Sequence, residues 1–101
     1  MSLHPETSAI TAGRPAAAPD ASLNPPIIIS STYHAGGPVG YGRYGNESWS
    51  ALESAIGELE GGATLSFSLG MAAVSAVFSI LPIGAPVVAS NQGYSGVMGL
   101  L

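Results

Sequence analysis

From Ser48 onward the apolar residues Trp49, Leu52, Ile56 and Leu59 recur three or four positions apart. That spacing predicts an amphipathic helix with Trp49 in its packed face. Ser50, followed by Glu53 three residues later, has the form of a capping box, and Gly61-Gly62 predict the stop. Residues 64–67 then alternate Leu65 and Phe67 with Thr64 and Ser66, the period of a strand. Met71, Val74, Val77, Phe78 and Leu81 mark the stripe of a second helix that Pro82 and Gly84 end, and residues 86–90 predict a further short buried strand. Helix, strand, glycine turn, helix, strand is the order of a βαβ unit in an open α/β sheet, with residues 91–96 as the loop past its second strand. There is no internal repeat.

The residues before Ser48 follow no such period. Up to Pro26 the chain holds Pro5, Pro15, Pro19, Pro25 and Pro26 among alanines, the composition of an extended arm without a core of its own. Ile27, Ile28 and Ile29 run into Ser30, Ser31, Thr32 and Tyr33, which predicts a short strand or an extended segment docking on another surface. Glycines 36, 37, 40, 42 and 45 then make a flexible loop carrying Tyr41, Arg43 and Tyr44. The expected organisation is an arm and loop over residues 1–47 and an α/β domain beginning over residues 48–101.

Composition sharpens this picture. The chain has 101 residues, 47% of them hydrophobic and 8% charged, with a net charge of −4. That is enough for one small domain. Every charge lies at or before Glu60, so residues 61–101 form an uncharged stretch that needs a partner, more chain or a membrane to cover it. Both cations are arginines, Arg14 and Arg43, and two isolated guanidinium groups make no basic stripe, which argues against nucleic acid as a partner. The absence of cysteine excludes disulfides and thiolate chemistry within the chain. Two histidines, His4 and His34, are too few for a metal site, and His34 reads as a polar loop residue. The first ten residues lack the basic-then-apolar order of a secretory signal, so the expected location is the cytoplasm.

Three places could carry chemistry. Ser68-Leu69-Gly70-Met71-Ala72-Ala73 joins a predicted strand end to a helix start, where unpaired N–H groups and the macrodipole favour an anion and Gly70 permits its close approach. In open α/β sheets ligands sit outside the carboxyl ends of strands, where both this turn and the Gly93–Gly96 loop belong. Gly70 is equally explained by a tight strand-to-helix turn. Tyr41-Gly42-Arg43 offers a forked guanidinium and a phenol to a phosphate, although Arg43 also reads as a solvated surface charge. Tyr94 could stack on a planar ring or simply pack.

Taken in order, Asn24-Pro25-Pro26-Ile27, Ser30-Ser31-Thr32-Tyr33, Tyr41-Gly42-Arg43-Tyr44-Gly45-Asn46, Leu52-Glu53, Leu59-Glu60-Gly61-Gly62, Ser68-Leu69-Gly70-Met71-Ala72-Ala73 and Gly93-Tyr94-Ser95-Gly96 resemble the opening quarter of the Cys/Met-metabolism pyridoxal-phosphate enzymes. These are the cystathionine γ-synthases, γ-lyases, β-lyases and their relatives. The resemblance implies the start of a fold-type I, aspartate aminotransferase-like large domain and an oligomer, dimer or tetramer, acting on a small amino acid. It implies pyridoxal 5'-phosphate as cofactor, with the backbone N–H groups of Gly70 and Met71 on the phosphate and Tyr94 stacked on the pyridine ring. It further implies that Tyr41 and Arg43 reach the same phosphate from the neighbouring subunit, and that the arm wraps that subunit.

The chain departs from the family pattern in four places. Glu47-Ser48 follows Asn46 where Pro-Thr is common, Leu69 replaces a small or polar residue, Ala85 stands where aspartate is common, and Val97 follows Gly96 where threonine is usual. These changes spare the implied cofactor contacts but blur the choice among family reactions. The chemistry also requires a lysine amine to hold the cofactor and move protons, and the chain contains none. The expectation is therefore an N-terminal fragment, inactive alone and with no catalytic residue of its own, the alternatives being a non-catalytic remnant or dimerisation module or a small membrane-associated protein. For the last, residues 63–81 carry no charge and approach the ~20 residues needed to span a bilayer. Gly70, four serines and the lack of flanking cations argue against a span.

Overall fold

A computed structural model describes residues 4–101, so the first three residues of the expected arm lie outside the described residues. The chain forms two compact units, one ending at Ser66 and the other running from Phe67 to Leu101.

In the first unit, α1 (Pro5–Thr11) is a helix of about two turns that the proline-rich composition concealed. Pro5 occupies its first turn, where a missing N–H costs nothing. Gly13 then adopts a φ of +72°, and a Cβ there would run into the backbone carbonyl of Ala51. Only glycine meets both demands, and that close approach seats the end of α1 on α2. Helix α2 (Glu47–Glu60) matches the predicted amphipathic helix and starts slightly earlier. Its cap is Asn46, whose side chain accepts the Ser48 N–H at 2.8 Å, and Glu47 places a favourable negative charge in the first turn. The expected Ser50–Glu53 capping box does not form, because Asn46 already caps the helix and Ser50 lies inside it, donating its N–H to the Asn46 carbonyl. Glu53 turns outward instead and accepts the N–H and the hydroxyl of Ser66, each at 2.7 Å. Gly61 ends the helix in the left-handed conformation at φ 71°, as its position predicts. Gly57 is buried where the chain folds back, and a Cβ there would lie 2.5 Å from the Gly62 carbonyl oxygen.

In the second unit, α3 (Gly70–Ser79) is the predicted apolar helix, ending before the Pro82–Gly84 turn. The short α4 (Ser95–Met98) packs against it. Ala85 N–H closes the intervening turn on the Pro82 carbonyl at 3.0 Å, with Gly84 at φ 80°.

The strands are where expectation and structure part. Residues 64–67 and 86–90 form no strand, and among the described residues the only β contact is an isolated antiparallel bridge between Thr32 and Tyr41. An extended segment becomes a strand only when a neighbour takes up its N–H and C=O groups, and alternation cannot supply that neighbour. The expected βαβ unit is therefore absent among the described residues. Residues 86–90 are not buried either, since Val88 is fully exposed. No apolar side chain among the described residues is buried, and Trp49, expected in a core, retains 37% of its exposure. The longest apolar helix, α3, has 10 residues, and no helix among the described residues is long and apolar enough to cross a membrane.

Candidate anion-binding sites

The loop carrying Tyr41 and Arg43 is tied at two levels. At its tip, the Gly42 N–H donates to the Ser31 carbonyl at 2.7 Å, and a Cβ on Gly42 would sit 2.9 Å from the Ser31 Cα. Glycine is thus required for this close approach. The Tyr44 N–H folds back to the Tyr41 carbonyl at 2.9 Å, closing a tight turn around Arg43. Within that turn the Arg43 guanidinium lies 5.0 Å from the Tyr41 ring centroid, and Tyr44 meets Tyr41 edge-on at 6.3 Å. At its base, Asn46 Nδ2 donates to the Ile28 carbonyl at 3.0 Å, while the Ser48 hydroxyl accepts the Ile28 N–H at 2.7 Å and donates to the Pro26 carbonyl at 2.9 Å.

Stacking of a cation on a tyrosine face is worth about 0.5–1 kcal/mol at an exposed position, so Tyr41 orients the Arg43 side chain without neutralising it. Among the described residues the ion pair is His4 with Glu6, and no carboxylate meets Arg43. Its donors remain available to an anion.

The start of α3 forms the second place. Leu69 caps the helix in an extended conformation without a side-chain hydrogen bond, and its carbonyl accepts from Ala72 and Ala73. The N–H groups of Gly70 and Met71 precede these and have no intrahelical acceptor. The first turn holds no acidic residue, and nothing lies within 4 Å of the position a Gly70 Cβ would take. Two outward N–H groups, a positive dipole end and open space above a glycine fit a phosphate.

Tyr94 joins this second place through Gly96. A Cβ on Gly96 would stand 2.7 Å from Tyr94 Cε1 and 3.2 Å from the Met71 sulfur, so the missing side chain is what lets the Tyr94 ring and Met71 come together. Tyr94 remains 68% exposed. The structure thus sets the Tyr94 ring and the Met71 side chain around Gly96 in the second unit, with Gly70 preceding Met71 at the start of α3, while Tyr41 and Arg43 share a turn in the first. Within the second unit, N–H donors at a helix start with an aromatic ring near the Met71 side chain fit a phosphorylated planar cofactor.

Sequence reasoning missed the base of the Arg43 loop and the Glu53–Ser66 contact. Asn46 directly ahead of an acidic residue is an N-cap signal that was available in the sequence. The Ser66 contact has no local signal, because its partners stand 13 residues apart. There, the Ser66 N–H first and its hydroxyl second hold the Glu53 carboxyl below the ordinary glutamate range.

Comparisons with known proteins bear on the same residues. A family model described as Cys/Met metabolism PLP-dependent enzyme matches residues 6–101. A putative cystathionine gamma-lyase of Streptomyces coelicolor is 40% identical over 101 residues, covering 90% of this chain and 26% of the relative. Cystathionine beta-lyases of Bacillus subtilis and Lactococcus lactis subsp. cremoris are 35% and 34% identical over 86 residues, covering 79% of this chain and 22% and 23% of the relatives. The chain therefore spans about a quarter of the length of the curated relatives it matches. No solved structure matches it significantly. With a family model matching residues 6–101, nearly the whole chain, this chain belongs to the Cys/Met metabolism PLP-dependent enzyme family.

Proposed function

We propose that these residues are the N-terminal, cofactor-contacting part of a pyridoxal-phosphate-dependent enzyme that eliminates or replaces a group at Cβ or Cγ of a sulfur amino acid, with cystathionine as the leading substrate. The observation that carries this reading is the start of α3. The Gly70 and Met71 N–H groups lack intrahelical acceptors above open space, with Tyr94 held beside Met71. The names of the relatives, gamma-lyase and beta-lyase, support the substrate class.

When bound, pyridoxal phosphate supplies an electron sink for negative charge developing at the amino acid's α-carbon. The Gly70 and Met71 N–H groups bind the phosphate, with about 0.3–1 kcal/mol of help from the helix dipole. Arg43 adds a forked, permanently charged donor, and Tyr41 keeps that fork oriented. Tyr94 would offer its ring face to the bound cofactor's pyridine ring and so help orient it. The chain has no lysine, so the amine that holds the cofactor and moves the α-proton comes from outside these residues. Tyr41 and Arg43 serve the phosphate of a neighbouring subunit in a dimeric or tetrameric assembly, within a fold-type I large domain. The expected location is the cytoplasm.

The test is to supply cystathionine and pyridoxal phosphate to the full polypeptide that contains these residues and to identify the 2-oxo acid released. A four-carbon oxo acid reports elimination at Cγ and a three-carbon one elimination at Cβ. No oxo acid, and no exchange of the γ-substituent for an added thiol, would contradict the reading.

A further inference from the structure

We propose that Ser48, together with Asn46, is a positioning residue for the phosphate contact made by Arg43; this rests on the reading of Arg43 as a phosphate ligand. Arg43 sits on a loop rich in glycine, with Gly36 and Gly40 at positive φ, and among the described residues no buried apolar side chain anchors it. A loop of that composition loses much backbone entropy when ordered, so its order must come from specific ties. Two ties exist, and they bracket Arg43 closely.

The first is at Gly42, fixed to Ser31 by the 2.7 Å bond and the bridge of Thr32 with Tyr41. The second is the base, where Asn46 and Ser48 take both the N–H and the carbonyl of Ile28, and Ser48 also takes the carbonyl of Pro26. Asn46 Oδ1 in turn accepts the Ser48 N–H, so the two side chains hold each other in place at the first turn of α2. Arg43, Tyr44 and Gly45 are the only residues between the ties. Their backbone is therefore referenced at one end to Ser31 and at the other to α2. Removing the base leaves Arg43 held from one side, and a guanidinium that must meet a phosphate in a defined fork loses part of its preorganisation.

The experiment titrates the cofactor-free full polypeptide with pyridoxal phosphate and, separately, with pyridoxal, which lacks the phosphate. It compares wild type with Ser48→Ala, Ser48→Thr, Arg43→Ala and the Arg43→Ala/Ser48→Ala pair. Loss of the Ser48 hydroxyl should weaken pyridoxal phosphate roughly three- to tenfold. Pyridoxal affinity should stay unchanged, Ser48→Thr should restore phosphate binding, and Ser48→Ala should add nothing to Arg43→Ala. If Arg43→Ala weakens pyridoxal phosphate but Ser48→Ala does not, the positioning role is overturned and the phosphate reading stands. Equal weakening of both ligands by Ser48→Ala overturns it as well, since that is general loss of structure. Unchanged affinity in Arg43→Ala removes the phosphate reading itself, and the inference with it. Should Ser48→Ala fail to fold, Asn46→Ser carries the same prediction, because serine keeps the helix cap and deletes the donor to Ile28.

Discussion

The two units of this chain keep their shape by different means. In residues 4–66, polar side chains tie together backbone far apart in sequence: Ser48 to Pro26 across 22 residues, Asn46 to Ile28 across 18, Glu53 to Ser66 across 13. In residues 67–101, side-chain bonds are local, Ser79 to Ala76 and Gln92 to Ser90, and the unit carries no charge. Neither unit buries an apolar side chain among the described residues. A segment with polar ties can hold a loop in register without a core. One without them depends on burying its apolar surface, and Ile83 and Val88, fully exposed, have nothing against them. The first unit presents a charged side chain on a tied loop, and the second presents a helix end and an exposed aromatic ring.

The largest effect that could break this contrast is expected at Gly13. Gly13→Ala combines a positive φ with a Cβ driven into the Ala51 carbonyl, and should cost about 1–3 kcal/mol in urea unfolding of the full polypeptide. A cost below experimental error would mean that α1 is not seated on α2. Next, Asn46→Ala removes the α2 cap and the donor to Ile28 and should destabilise by about 1–2 kcal/mol, while Asn46→Ser, which keeps a cap, should recover roughly half.

Gly70→Ala sharpens the comparison from the other side. Its Cβ meets nothing within 4 Å, so stability should stay within about 0.5 kcal/mol of wild type, while pyridoxal phosphate binding weakens measurably as the methyl intrudes on the phosphate. Weakened folding with unchanged binding would reverse the assignment of Gly70.

The smallest effect is expected from Glu53. Its folded-state carboxyl titrates below its ordinary value of 4.5 because it accepts two bonds from Ser66. The contribution is therefore fully present above that value and is lost as pH falls through the lower, folded one. Amide exchange at Ser66, corrected for its intrinsic pH dependence, should lose protection over that acid window. Glu53→Gln should remove the pH dependence, and a pH dependence that survives in Glu53→Gln would assign it to another group.

These contacts also mark how far the sequence could be read. Helix α2 was evident because the period of Trp49, Leu52, Ile56 and Leu59, with glycines at its end, is local information. Helix α3 was evident for the same reason. Gly70, Met71, Tyr94, Tyr41 and Arg43 were readable as candidates because each lies in a short motif with its own chemistry. The strands that alternation and apolar character predict over 64–67 and 86–90 do not form among the described residues, since pairing depends on a neighbour that the local pattern does not encode. Helix α1 was hidden by the prolines around it, although Pro5 in a first helical turn is a start signal. The ties made by Ser48 and Glu53 join residues 13 to 22 apart, and small polar side chains give no periodic sign of such distant partners.

The central claim, that these residues belong to a polypeptide that binds pyridoxal phosphate, is tested most directly by the visible absorption of the purified full polypeptide before and after borohydride. The account predicts a cofactor band that borohydride abolishes, with the reduced cofactor then retained through exhaustive dialysis. A polypeptide that shows no such band even after incubation with excess pyridoxal phosphate would contradict it.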